Sequence, residues 1–314
     1  MKILLTGATG FVGGHLLRSI QDEHEVTCLV RGATKLNLDG VHHIYSDFET
    51  SSIQELDLSS FDQIIHCAAR AHVMNDEVAN PLEEYRKTNT DLTLALAQRA
   101  AEQGVKRFVF ISSIKVNGES TRDVAFGADD LPNPSDDYGV SKAEAEQKLM
   151  SLANSSNLEV VVVRPPLVYG PGVKANFASL YKLAGKGIPL PLGCMDSNRR
   201  SLVSIYNLVD FIITCLETPN AANQVFLVSD GEDVSTRRLV EVLARAQGKS
   251  PWMVPIPLIA FEFLGKLTGK AAVIERLTGS LQVDIQKNQH MLNWLPPYTM
   301  EQSLQLMLDE LKSN

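Results

Sequence analysis

The sequence has few cysteines, no surplus of positive charge and no long apolar run. Its four cysteines, Cys28, Cys67, Cys194 and Cys215, stand far apart and never form a Cys-x-x-Cys pair. No disulfide framework and no metal site are expected. The thiols read as small buried hydrophobes in a reducing cytoplasm. A formal charge of −8 speaks against a nucleic-acid or anionic-membrane binder. No stretch reaches the roughly 20 apolar residues of a membrane span, so no membrane insertion is expected. A glycine turn follows Lys2–Leu5 at once, so no signal peptide is expected either. Repeats and low-complexity segments are missing. What remains is 44% hydrophobic and 21% charged in 314 residues, the profile of a soluble globular protein of one or two domains.

Lys2 to Leu5 is a short apolar strand, and Gly7, Gly10 and Gly13 follow it at three-residue spacing before a helix through Leu16, Leu17 and Ile20. Strand, glycine turn and helix together predict a dinucleotide site. The first glycine permits the turn, the second admits the pyrophosphate, and the third lets helix and strand pack closely. The helix start, at Phe11 and Val12, offers free N–H groups and a positive dipole end to the phosphates. The second strand ends at Arg31, with Lys35 close behind. An acidic residue there would suit the ribose hydroxyl of NAD. A cation suits a 2′-phosphate, so NADP is expected, with NAD as the alternative.

Further strands are expected at Val41–Tyr45, Gln63–Cys67, Phe108–Ile111 and Leu158–Val163. A long helix over Pro81–Gln103 carries a polar interruption at Asn89, and His66 reads as a packing histidine. Strands alternating with helices predict a Rossmann-type α/β fold, a doubly wound parallel sheet whose ligands sit at the C-terminal strand ends. Gly7, Arg31, Asp47, Ala68 and Ser113 all lie at such ends. The run from Phe108 ends in Ser112 and Ser113, and Tyr138 and Lys142 open the next helix four residues apart, on one face. An ammonium beside the phenol is expected to lower its pKa. Such a group suits proton transfer at a carbonyl or an alcohol.

Taken together, these motifs resemble the extended short-chain dehydrogenases/reductases, in particular the NAD-dependent epimerase/dehydratase group acting on nucleotide sugars. The likeness adds Asp47 and Phe48, Ala68 and Ala69, Asn89, Arg164 and Pro165, the Val168 to Gly172 segment, and the closing Leu292, Asn293, Trp294 signature. It implies that Tyr138 is the acid/base at the sugar 4-oxygen, that Lys142 binds the nicotinamide ribose, and that Ser113 hydrogen-bonds the reacting oxygen. It places Asp47 and Phe48 at the adenine, and Ala68, Ala69 and Pro165 against the cofactor. It assigns Asn176, Arg200 and Arg276 to the diphosphate and the segment around Leu192 to the nucleotide base. Ile114 and Lys115 stand where the 4,6-dehydratases carry two carboxylates, which argues against loss of water. Lys115 is a candidate substrate contact.

The resemblance also implies a division into a cofactor domain, residues 1–165 with a return over about 202–232, and a smaller C-terminal α/β substrate lobe, mainly residues 166–314. The apolar helix from Leu258 to Leu267 is expected to pack into that lobe. A homodimer is the default, through helices carrying Leu92, Leu96, Tyr138 and Leu149. The sequence looks most like the bacterial UDP-N-acetylquinovosamine dehydrogenases of surface-polysaccharide synthesis. The expected function is therefore NADPH-dependent reduction at C4 of a UDP-4-keto-6-deoxy-N-acetylhexosamine. The alternatives are a UDP-hexose 4-epimerase with tightly bound NAD and, more distantly, a non-catalytic NADP-sensing protein.

Overall fold

The computed structural model describes residues 1–32, 41–70, 80–267, 269 and 271–313. The side chains at 175, 176, 262, 264–266, 271–273, 276 and 313 are outside the description. Lys35 therefore lies outside the described residues, as do the side chains of Asn176 and Arg276. The strands are β1 (Lys2–Thr6), β2 (Glu25–Arg31), β3 (His42–Ser46), β4 (Gln63–His66), β5 (Arg107–Ile111), β6 (Glu159–Arg164), β7 (Leu167–Tyr169), β8 (Arg200–Ser204), β9 (Gln224–Leu227) and β10 (Asp233–Val234). Seven of them form one sheet in the order β3-β2-β1-β4-β5-β6-β9. Every pairing in it is parallel. The order reverses between β1 and β4, so the crevice for a ligand opens where those two strands end.

Both faces of the sheet are covered, which is why its central strands read as continuous apolar runs. Ile3, Leu5, Val109, Val161 and Val163 pack with the helices Phe11–Ile20 and Ile205–Glu217. The alternating set Leu4, Phe108, Phe110, Val160 and Val162 packs with the helices Leu92–Glu102 and Asp137–Ser155. Arg107, at the start of β5, is buried because it pairs with Glu159 at 2.6 Å and donates to the carbonyls of Cys215, Leu216 and Thr218. It thereby satisfies the open C-terminal end of the helix Ile205–Glu217. Leu92, Leu96 and Leu149 are core residues, so a pairing of two chains through these helices would use their other faces.

A second sheet of three strands follows, in the order β10-β8-β7. Its cluster holds Tyr169, Phe177, Leu202, Val240 and Leu243. One buried carboxylate joins it to the main sheet. Asp230 accepts from Tyr169 Oη at 2.7 Å, from Ser204 N at 2.8 Å and from Asn207 Nδ2 at 2.7 Å. Asn207 continues the link to both the N–H and the carbonyl of Tyr298. The closing signature also has a structural role: Asn293 ends its helix in the left-handed conformation, and Trp294 packs on Phe211 and donates to Asp210 at 2.6 Å.

The expected long helix runs without a gap from Pro81 to Glu102, and the interruption at Asn89 is a wide π turn, Arg86–Asp91. The helix Leu258–Leu267 packs on the lobe through Leu258 and Phe261, while among its other described side chains Ile259, Phe263 and Leu267 are 78%, 70% and 74% exposed. Their four-residue spacing puts them together on its outer side.

Asp230→Ala leaves three buried donors unmatched and is expected to destabilise the fold by about 3 kcal/mol. A urea titration should show a lower midpoint with unchanged slope; an unmoved midpoint would remove Asp230 as the joint.

Candidate active site

At the switch point, Gly7 adopts φ +73°, and a Cβ there would lie 2.6 Å from Ala68 N. A Cβ on Gly13 would collide with the Gly7 carbonyl. Both positions therefore require glycine, for turn and for contact. Gly10 precedes the helix Phe11–Ile20 in extended conformation and its end has no side-chain cap. The first N–H groups of the helix, at Phe11, Val12 and Gly13, thus remain available to an anion at the mouth of the crevice. Thr6 fixes the other wall. Its Oγ1 accepts from Ala68 N at 3.1 Å and bonds His66 Nδ1 at 2.8 Å, while His66 Nε2 meets Thr93 Oγ1 at 2.9 Å. His66 is fully buried, and burial, then the charge of Lys142, push it down to about 3. It is a neutral packing residue, as its place in an apolar strand suggested.

Asn89 explains the π turn. Its amide accepts from Arg70 N at 2.8 Å, and donates to Arg70 O at 3.2 Å and to Ser141 Oγ at 3.0 Å. The widened turn thus ties the segment after Ala68 and Ala69 to the helix of Tyr138. Asp47 and Phe48 follow β3. Asp47 is exposed, and its carboxyl sits below the usual range because Ser52 and the Glu49 N–H bond it. Phe48 holds φ +61° and packs against the sheet cluster. Arg31 is exposed at the end of β2 and already has a partner of its own.

Ser113, Tyr138 and Lys142 come together at the end of β5. Asp136 caps the helix Asp137–Ser155 by accepting from Gly139 N at 2.7 Å, which sets Tyr138 in the first turn. The Tyr138 phenol feels the Ser113 hydroxyl, which favours its ionised form, and meets Tyr85 edge to face at 6.1 Å. Its phenol is not lowered, contrary to the expectation from spacing. Burial pushes it up to about 12, Ser113 pulls against this, and Asp136 and Tyr85 add to the rise. The Lys142 ammonium donates to Ile111 O at 2.9 Å and lies 4.3 Å from the centre of the Phe110 ring. Burial lowers Lys142 to about 8, opposed by Glu146 and Cys67. Pro165 follows β6, and its carbonyl accepts from Ile114 N at 3.0 Å.

Among the expected substrate contacts, Lys115 pairs with Asp136 and with Glu119, the latter at 2.9 Å. Burial pulls its pKa down, but these two partners outweigh burial and leave it above the ordinary value. Its charge is therefore committed within the chain. Leu192 is a core residue of the second lobe and offers no open side-chain surface. Arg200 is half-buried, donates to Gly279 O at 3.0 Å, and is lowered by burial. Asn176 and Arg276 lie on the helices Ala175–Ala184 and Ala271–Thr278, their side chains outside the description. Three contributors went unread in the sequence. Thr6 stands directly before the first glycine of the glycine motif, but its spacing alone gave it no role. Asp136 stands just before a helix, the position of an N-cap. Glu146 follows Lys142 by four residues, on the same face.

The parallel sheet, the glycine crevice and the Ser113–Tyr138–Lys142 group define an enzyme of the dinucleotide-binding Rossmann class. Residues 3–229 match the model of the NAD dependent epimerase/dehydratase family. The chain belongs to that family. It is similar to the UDP-glucose 4-epimerase of Vibrio cholerae, with 52% identity over 304 residues that cover 96% of this chain and 92% of that one. It is also similar to N-acetyl-alpha-D-glucosaminyl-diphospho-ditrans,octacis-undecaprenol 4-epimerase of Escherichia coli O157:H7, at 28% identity over 324 residues, 96% and 93% of the two chains. Among solved structures, UDP-N-acetylglucosamine 4-epimerase from Bacillus cereus superposes with a TM-score of 0.79 at 19% identity, covering 100% of this chain and 97% of that one. The family's dependence on NAD runs against the preference for NADP read from Arg31 and Lys35.

In protein stripped of dinucleotide, the ultraviolet difference titration between wild type and Tyr138→Phe should place the Tyr138 phenol near 12. A transition near 7 would show that Lys142 alone activates it.

Proposed function

We propose that this chain is a UDP-hexose 4-epimerase that holds NAD. The observation that carries the reading is the 52% identity to the UDP-glucose 4-epimerase across almost the whole chain. The chemistry of the site agrees with it. Tyr138 is a proton-transfer group influenced by Ser113, and buried Ile114 leaves no carboxyl at the position after Ser113 for a loss of water. Asp136, the nearest acid, is committed to Gly139 N and Lys115.

The glycine crevice and the uncapped helix start fit a dinucleotide pyrophosphate. NAD bound there supplies the hydride acceptor at C4 and, in the return half, the donor. Tyr138 takes the proton of the sugar 4-hydroxyl and later returns it to the 4-keto oxygen, while Ser113 hydrogen-bonds that oxygen. Burial holds the phenol high, so its role as base depends on positive charge beside the ring. Lys142, one helical turn on, contributes such charge. Arg200, whose planar guanidinium suits a diphosphate, holds the substrate with Asn176 and Arg276. In this reading residues 1–165 and the return over 202–232 carry the cofactor, and residues 166–314 mainly carry the sugar nucleotide.

Reduction of a UDP-4-keto-6-deoxy-N-acetylhexosamine is the second reading, and Arg31 at the end of β2 favours it, because a cation there suits NADPH. One assay separates the two. Purified protein without added cofactor should interconvert UDP-glucose and UDP-galactose, and Tyr138→Phe should cut that turnover at least about 10²-fold while keeping its NAD. Consumption of NADPH with the keto sugar, and no epimer from UDP-hexoses, would establish the reductase instead.

A further inference from the structure

Glu146 is a buried carboxylate two turns along the helix from Tyr138 and one turn from Lys142. It accepts from Ser112 Oγ, and from Arg164 Nε at 3.0 Å and Arg164 Nη2 at 2.5 Å. Arg164 ends β6 and donates through Nη1 to Asn117 Oδ1 at 2.9 Å. Both members of the pair are almost wholly out of water, each side chain 5% exposed. A buried ion pair is weak evidence for stability, since apolar residues of similar size often serve the fold as well. Its place therefore calls for another explanation.

That explanation lies in what the pair holds. Ser113 is anchored on both sides. Ser112 before it is bonded by Glu146 and also donates its N–H to Val163 O at 2.7 Å, while Ile114 after it donates to Pro165 O. Glu146 joins the end of β5, the end of β6 and the helix of Tyr138 at one point. We propose that Glu146 is a positioning residue for the reaction at Tyr138, setting Ser113 against the phenol through Ser112 and Arg164 and serving as counter-charge to the Lys142 ammonium. The other groups facing that ammonium are the Ile111 carbonyl and the Phe110 ring from β5, His66 and Cys67 at the end of β4, and Tyr138 on the same helix. His66 is neutral and burial keeps the Cys67 thiol protonated, so among these groups the negative charge comes from Glu146.

The inference rests on the proposed epimerase for one of its two readouts. The double variant Glu146→Leu/Arg164→Met removes both charges at similar volume but leaves Ser112 Oγ and Asn117 Oδ1 without these partners, so it should stay folded with a modestly lower urea midpoint. Its kcat for UDP-glucose should nonetheless fall about 10²-fold, through lost alignment, with KM and bound NAD within threefold of wild type. The single variant Glu146→Gln, labelled with 15Nζ-lysine, should show Lys142 titrating at lower pH than in wild type, because the anion that favours the ammonium is gone. The alkaline limb of its kcat profile should move the same way. A folded double variant with kcat within threefold of wild type overturns the proposal, as does a Lys142 titration that stays in place. If wild type itself does not epimerise UDP-hexoses, the functional reading fails and the Lys142 titration alone judges Glu146.

Discussion

An ammonium buried beside the reacting group is the constraint around which this protein is built. Removing such a charge from water costs several kcal/mol unless dipoles and opposite charge replace the hydration. Lys142 finds the Ile111 carbonyl at 2.9 Å, the face of Phe110 and, one turn on, Glu146. Each substitute belongs to a different part of the chain. The end of β5 must lie under the helix Asp137–Ser155, and Arg164 at the end of β6 must meet Glu146 to neutralise it. The strand ends that shape the site are thus placed by the same interactions that keep the lysine charge inside.

The cofactor crevice follows a second rule, close approach of backbone to backbone. Gly7 meets Ala68, and Gly13 meets Gly7, at separations that leave no room for a side chain. Thr6 and Asn89 then hold the crevice walls through hydrogen bonds that use nearly every polar atom they have. At the opposite side, Asp230 and Asn207 couple the second sheet, which bears Arg200, to the first.

Much of this was legible in the sequence where one local rule decides the outcome. The strand–glycine–helix start, the parallel sheet and the meeting of Ser113 with Tyr138 follow from spacing and periodicity. The failures came where partners distant in sequence decide. The π turn at Asn89 answers the Arg70 backbone, 19 residues earlier. The phenol of Tyr138 is governed first by burial, with Ser113 on another element pulling against it, and the Lys142 ammonium bonds the Ile111 carbonyl of β5. Lys115, a candidate substrate contact by position, pairs with Asp136, 21 residues on, and with Glu119. The helix from Leu258 to Leu267 is apolar in composition, but composition does not say which side faces the lobe. Arg31 at a strand end favoured NADP by charge alone, whereas the family is NAD dependent.

On the proposed epimerase reading, hydrogen leaves and returns to C4 by way of the cofactor, while Tyr138 handles only the oxygen-bound proton. UDP-glucose deuterated at C4, incubated with the protein in ordinary water, tests this directly. The account predicts UDP-galactose that keeps its deuterium at C4 at every extent of conversion. Loss of that deuterium to solvent would contradict it, because the C4 hydrogen would then be moving as a proton.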